Sequence, residues 1–271
     1  MEKREDAKIF MLCHKPTPYG LIDNELITPL ECGADVEDNN ACETKDNTGK
    51  NISKWNQFYT EDTGIYWIWK NVHCKYKGQM QYRRRLEGLE NLDFEQTFAE
   101  YDAIIAQPMD LESLYYMPGL TLEKQYALAH QKRDLDAVEE IILESHADYY
   151  PDYLKYVRNG KNILYSNGFV LKEEDYDKYC EFLFGILVKW LDKKGIHTIE
   201  SLHAYVYDSI MTGHISNATM DPYHRADLDY AIKYQSRIGG SLAERIFTLY
   251  AYHNFKNILF LEYDKPEGNK L

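Results

Sequence analysis

Arg83, Arg84 and Arg85 stand side by side in a chain whose formal charge is −13, with 31 basic and 44 acidic residues. An arginine is always charged, and its planar fork of donors fits phosphate oxygens two at a time. The residues before the three arginines alternate as a strand does. Tyr76, Gly78, Met80 and Tyr82 point one way, and Lys77, Gln79 and Gln81 the other. Guanidinium groups at a strand end can clamp a diphosphate and stabilise it as it leaves. Near a protein surface such a charge pair has a Coulomb energy of about 4 kcal/mol at about 4 Å. Desolvation leaves about 1.5–3 kcal/mol for each charged hydrogen bond. The plainer alternative is one arginine in an ion pair and the others in solvent.

Two further groups could do chemistry. In DNTGKNIS, residues 46–53, Asp46, Asn47 and Asn51 offer short polar side chains and Gly49 allows a bend. Ser53 is placed to begin a helix whose first amides can receive an anion or a sugar hydroxyl; the alternative is an ordinary Asx-rich turn. Gly239 and Gly240 precede Ser241 and Glu244, which are spaced as an S-x-x-E capping box. Glycines let a ligand approach helix amides closely, and Arg237 and Arg245 flank this stretch; plain loop-to-helix geometry is the alternative. Among nine histidines, His14 and His130 have the most suggestive neighbours. The P-loop, dinucleotide, nucleophile-elbow and zinc-protease patterns do not occur in the sequence.

The elements that must position these residues follow from periodicity. KIFMLC (8–13), ITPLEC (27–32), YDAIIAQP (101–108), ILYSNGFVL (163–171) and ILFLEY (258–263) read as extended. Residues 33–52 lack periodicity and read as a functional or mobile loop. A helix is predicted from Ser53 to about Lys70, with Trp55, Phe58, Tyr59, Tyr66 and Trp69 near one buried face. Thr121 opens another helix, and Leu135, Val138, Ile141 and Ile142 mark the next. The clearest is EEDYDKYCEFLFGILVKWLDKKG, acidic at its start, basic at its end and stopped by Gly195. Its stripe is Tyr176, Tyr179, Cys180, Leu183, Leu187 and Trp190. Alternating strands and helices predict an α/β domain with a mixed, mostly parallel sheet. Ligands bind such sheets at the carboxyl ends of the strands. His14, Lys15 and the arginines share that region if their strands are neighbours.

The acidic balance argues against nucleic-acid binding and against adhesion to anionic lipid through the bulk surface. Five cysteines with no C-x-x-C pair argue against a disulfide framework or zinc site and fit a reducing cytoplasm. The charged start MEKREDAKIF does not read as a signal peptide, and no apolar run approaches 18 residues, so the expectation is a soluble protein. Asn51 and Asn217 begin glycosylation-type triplets that mean nothing without secretion. The tail DKPEGNKL reads as frayed. Twenty-four tyrosines suit half-buried positions and sugar-facing clefts alike.

One resemblance adds to this reading. DNTGKNIS, then Glu61-x-Thr63 with YWIWKN at 66–71, then a strand ending in Tyr82-Arg83-Arg84, resembles a bacterial glycosyltransferase family. That family occurs in capsular, exopolysaccharide and lipopolysaccharide gene clusters and was long catalogued only as a domain of unknown function. Its members typically read D-N-T-G-x-N-I-S, Y-W-x-W-K-N and H-Y-R-R. Tyr126, His130 and Asp134 fit its Y-x-x-x-H-x-x-x-D pattern. NGFVL and YCEFLF match a strand-helix segment. Arg237, Gly240, Leu242, Glu244 and Arg245 fit R-x-x-G-x-L-x-E-R. The likeness spans about residues 8–252. Gln81 stands where the family has histidine, and Arg85 where an aromatic is more usual. Glutamine donates but carries no charge, which keeps a non-catalytic nucleotide-sugar or glycan-binding module in view.

The resemblance implies a single GT-A-like α/β domain with a helical C-terminal half. Residues 1–110 would hold the nucleotide sugar and residues 111–271 the acceptor. It implies a donor site of His14, Lys15, Asp46, Asn47, Asn51, Gln81, Tyr82, Arg83 and Arg84. His130, Arg237 and Arg245 are further candidates. The base for an inverting transfer would be Asp134, Asp148 or Glu244. Many such enzymes hold a divalent cation with D-x-D after a central strand. Here the corresponding strand ends in Tyr82-Arg83-Arg84, and the D-L-D at 227–229 lies far downstream. A hard cation needs oxygen ligands, so no metal cofactor is expected. The partners implied are a UDP-type nucleotide sugar and a lipid-linked oligosaccharide acceptor, reached by peripheral contact with the inner face of the plasma membrane or a membrane-bound partner.

Overall fold

A computed structural model of the chain describes residues 6–17, 20–214 and 227–264. The first five residues, the Asn217 triplet and the tail from residue 265 lie outside the described residues. Seven strands form the main sheet: β1 Ala7–Cys13, β2 Ile27–Glu31, β3 Thr44–Lys45, β4 Tyr76–Gln81, β5 Ala103–Ala106, β6 Gly168–Lys172 and β7 Ile258–Leu261. Their spatial order is β7-β5-β6-β4-β1-β2-β3. β6 runs antiparallel to β4 and β5, and the other pairs are parallel. This is the mixed, mostly parallel sheet that the alternation predicts.

The helices of eight residues or more are α1 Asp62–Asn71, α2 Leu122–Ala129, α3 Lys132–Ser145, α4 Glu173–Lys193, α5 Ile199–Met211, α6 Leu228–Gln235 and α7 Ile238–Asn254. Six of the seven follow residue 120, which makes the C-terminal half helical. One sheet face packs Phe10, Leu12, Phe169 and Leu171 against α1, α4 and α7. The predicted α4 stripe is wholly buried there, and Phe169 stacks on Phe247 at 4.6 Å. The other face packs Ile9, Met11, Met80 and Val170 against Phe94 and Phe98, on a short helix capped by Asp93, which accepts from Gln96 N at 3.1 Å. Each large apolar side chain so buried contributes roughly 1.5–3 kcal/mol. With both faces covered, even Lys77 and Gln79 are enclosed. Lys77 Nζ meets Asp177 at 2.8 Å, and Gln79 Oε1 accepts from Tyr176 Oη at 2.9 Å. No helix among the described residues is long and apolar enough to cross a membrane.

Three expectations need correcting. The helix from Ser53 to Lys70 is broken into a 3-10 turn at Ser53–Trp55, one turn at Asn56–Tyr59, and α1. Between the last two, Thr60 takes φ +54°, a conformation costing a β-branched residue about 1–3 kcal/mol. The Asn56 side chain and the Thr63 hydroxyl donate to the Thr60 carbonyl at 2.6 and 3.0 Å, in place of a continuing helical ladder. Ser53 caps no helix; its hydroxyl donates to Asp46 instead. The loop 33–52 is held in place: Glu31 accepts from Asn39 N at 2.7 Å and Ala41 N at 2.9 Å. Finally, α7 begins at Ile238, ahead of Ser241, so the capping box does not form. The two glycines let α7 lie against Phe58 and Thr60. A Cβ on Gly239 would fall 2.6 Å from the Phe58 ring, and one on Gly240 would fall 2.2 Å from Thr60 Oγ1.

Candidate active site

β1 and β4 are parallel neighbours in register, with Leu12 opposite Gln81. The chain therefore leaves both strands on one rim, placing His14 and Lys15 beside Tyr82 and Arg83. Because β6 is antiparallel, its entrance at Ser166–Asn167 lies on the same rim, next to Met80. The break at Thr60 aims Glu61 and Asp62 at this edge, and the first turns of α7 close it. The result is a cleft of two lobes, about 420 Å³ and about 250 Å³, that share Thr60, Glu61, Arg83 and Arg237 as walls. The larger lobe is within the usual range of ligand sites.

The larger lobe is basic. His14, Lys15, Arg83, Lys233 and Arg237 line it, with Tyr82 as a flat wall. The His14 ring stands edge-on to Tyr82 at 5.9 Å. Although His14 keeps an open surface, partial burial of its ring and then the Lys15 charge hold the imidazole below its ordinary range. Arg237 and Arg83 add to this, and Glu61 opposes it. The Arg83 guanidinium lies 5.3 Å from the Tyr82 ring.

The smaller lobe mixes charges. Glu61 accepts from Gln81 Nε2 at 3.3 Å on each oxygen and from the Asn167 amide. Asp62 is 1% exposed, and neither of its oxygens has a hydrogen-bond partner. Burial first, then Glu61 and Glu244, push its carboxyl well above the usual range, with the nearby Ser166 hydroxyl offsetting this slightly. Glu244 accepts from Arg245 Nη1 at 2.7 Å. Burial raises its carboxyl too, against the pull of Arg245 and Arg84. Arg84 stacks 4.4 Å over Tyr165. His130 shares its Nε2 with Ser241 Oγ at 2.8 Å. Burial, then Arg245 and Arg237, push its imidazole down to about 3, so it is neutral at pH 7. The arrangement can hold an anion in the larger lobe and hydroxyl groups in the smaller, with a carboxylate available to take a proton.

Other residues singled out from the sequence stand elsewhere. Arg85 turns away from the cleft: it sits on a two-residue strand paired with Tyr263–Asp264, and its Nη2 donates to Gly20 O at 2.9 Å. Two of the three arginines thus line the cleft. Asp46, Asn47 and Asn51 do not line it. Asp46 is fully buried and accepts from Gly33 N at 2.7 Å, Ala34 N at 3.2 Å and Ser53 Oγ at 2.6 Å. It therefore fixes the turn whose Gly33 lines the larger lobe. Asn51 Oδ1 accepts from Ser53 N at 3.2 Å within a local turn. Asp134 is buried under Tyr205 Oη and Tyr126 Oη, at 2.8 and 3.2 Å, and burial pushes its carboxyl up to about 6. Asp148 is exposed, 3.9 Å from His253. Arg245 is buried against Glu244, Ser241 O and Gln125. Asp227 of the D-L-D caps α6, accepting from Tyr230 N at 3.0 Å. Among the described residues no three His, Cys, Asp or Glu side chains are placed to hold a metal ion.

Of the three base candidates, Glu244 alone lines the cleft. Asp62 and Asn167 are site residues that sequence reasoning missed, and Glu61 entered only as a motif letter. The signal for all three is the break at Thr60 and the reversed strand β6, neither of which periodicity reveals.

A family model described as DUF4422, a domain of unknown function, matches residues 8–228. The chain belongs to this family. No curated protein matches it. Among solved structures, the apo structure of WbbM, a bifunctional glycosyltransferase, covers 97% of this DUF4422 chain at 22% identity and a TM-score of 0.68. The match takes in 46% of WbbM, so the chain spans about half the length of that neighbour. At this identity the likeness is one of fold. The α/β sheet with its helical C-terminal half is an architecture found in a glycosyltransferase.

Proposed function

We propose that this DUF4422 chain is a glycosyltransferase. It moves a hexose from a nucleotide diphosphate sugar, UDP-linked, to a hydroxyl of a lipid-linked surface-polysaccharide intermediate. The observation that carries this reading is the union, in one cleft at the strand carboxyl ends, of Arg83 and Arg84 with Glu61 and Glu244. The nucleotide takes the larger lobe, lined mostly by residues before 110, and its diphosphate lies where the lobes meet, between Arg83, which lines both, and Arg84, which lines the smaller. The hexose and the acceptor hydroxyl take the smaller lobe, where residues after 111 contribute most.

In the transfer, Glu244 accepts the proton of the acceptor hydroxyl as its oxygen attacks the anomeric carbon. The bond from that carbon to the diphosphate breaks, and the nucleotide diphosphate leaves with the electron pair. Arg83 and Arg84 neutralise the charge that develops on it, at about 1.5–3 kcal/mol for each charged hydrogen bond. Fixed guanidinium charges here do the work that a divalent cation does elsewhere. The His-to-Gln change at 81 fits this scheme, because the Gln81 amide donates to Glu61 and needs no charge to do so. Meeting a lipid-linked acceptor requires transient contact at the inner face of a membrane, through a partner or a small patch.

The test is UDP release from UDP-glucose and UDP-galactose in excess EDTA, without acceptor. Slow release that disappears in Arg84→Ala supports the transferase. Tight binding with no release supports a nucleotide-sugar-binding module instead. No binding of either donor rejects both.

A further inference from the structure

The transfer described above gives no task to Asp62. This residue opens α1, lines the smaller lobe and is 1% exposed, yet neither carboxyl oxygen has a hydrogen-bond partner. A buried carboxylate without a partner is among the costliest arrangements a protein can hold. A buried carboxylic acid costs far less and keeps a donor to offer.

We propose that Asp62 is the sugar-recognition residue of the smaller lobe: a neutral carboxylic acid whose hydroxyl donates to a hydroxyl of the bound hexose. The transferase reading supplies the identity of the ligand. The protonation state stands on the surroundings of Asp62. Glu61 and Glu244 approach it from the lobe, and the Ser166 hydroxyl beside them offsets their effect only in part. Behind it are the buried hydroxyls of Tyr59, Tyr176 and Tyr179 and the thiol of Cys180, all held protonated by burial. Arg83, Arg84, Arg237 and His130 line the same lobe. However, Arg84 acts on Glu244, and His130 is neutral. Glu61 already takes the Gln81 and Asn167 donors. Three acids therefore face one another, and the one most buried and least solvated keeps the proton. The N-terminus of α1 favours an anion, but that influence is a fraction of the cost of an unpaired buried charge.

The rest of the lobe suits a sugar. Gln81, Ser166, Asn167 and Ser241 are neutral hydrogen-bonding groups around about 250 Å³. A donor among these groups complements the acceptor oxygens of Glu61 and Glu244, so a hexose hydroxyl can both give and receive.

The test uses the full chain with UDP, UDP-glucose and UDP-galactose as probes. Infrared difference spectra at pH 7 should show a protonated-carboxyl band in the wild type that is missing in Asp62→Asn. By calorimetry, Asp62→Asn, which keeps a donor, should bind the preferred UDP-sugar within about threefold of wild type. Asp62→Ala should bind it about tenfold more weakly, with UDP affinity unchanged. Absence of the band, or Asp62→Asn as damaging as Asp62→Ala, overturns the proposal. So does Asp62→Ala equal to wild type. A wild type that shows the band but binds no nucleotide sugar fails the transferase reading and the recognition role together. Loss of the band with sugar binding intact fails the Asp62 assignment alone.

Discussion

Two buried aspartates divide the molecule. Asp46, just after β3, and Asp62, at the head of α1, are both essentially inaccessible. Asp46 has three donors, two of them backbone amides; Asp62 has none. A saturated carboxylate organises its surroundings, and here it fixes a turn on the rim of the larger lobe. An unsatisfied one is a liability to the fold and is kept where a ligand completes it. Asp134 lies between the two, with two phenol donors that do not fully offset its burial. Donor count separates the scaffold from the cleft more cleanly than burial does.

The comparison can be broken most sharply on its cleft side. Glu244→Gln should lower sugar transfer by about 10²–10⁴-fold with little change in UDP affinity; an unchanged turnover would remove Glu244 as the base. On the scaffold side, Asp46→Ala strands two buried amides and should cost about 3 kcal/mol in urea unfolding. Asp62→Asn in the same assay should be neutral or slightly stabilising, and equal losses at both positions would erase the distinction.

Asp134 gives a pH signature. Its folded carboxyl titrates at about 6, against about 3.9 in the unfolded chain. The folded state therefore holds more protons across that window, and stability falls as pH rises through it. The contribution is complete below about pH 4, gone above about pH 6, and on the order of 3 kcal/mol. Unfolding of Asp134→Asn from pH 4 to 7 should lack this slope. The smallest effect is at Thr60. Glycine there relieves the positive φ and should change stability by about 1 kcal/mol or less, while loosening Glu61 and Asp62 enough to slow transfer.

Much of this architecture is legible in the sequence. β1 declares itself as an unbroken apolar run, β4 through its period-two alternation and α4 through its period-3.6 stripe, because their apolar side chains must be buried. The convergence of His14, Lys15, Arg83 and Arg84 follows once β1 and β4 are adjacent and parallel. What resists reading is set by long-range contacts. No glycine or proline marks the break at Thr60; Asn56 and Thr63 make it through side-chain bonds, and Gly239 makes room for Phe58. Residues 33–52 look mobile only until Glu31 and Asp46 are placed beneath them. Arg85 is drawn off by a strand near the far end of the chain, and Ser241 by His130.

The measurement closest to the central claim is calorimetric titration of UDP-glucose and UDP-galactose, in excess EDTA, into the wild type and Arg83→Ala/Arg84→Ala. Two charged hydrogen bonds at about 1.5 kcal/mol each predict tight wild-type binding without metal and a loss of about 100-fold in the double variant. Binding that requires manganese, or that ignores the removal of both guanidinium groups, would contradict the account.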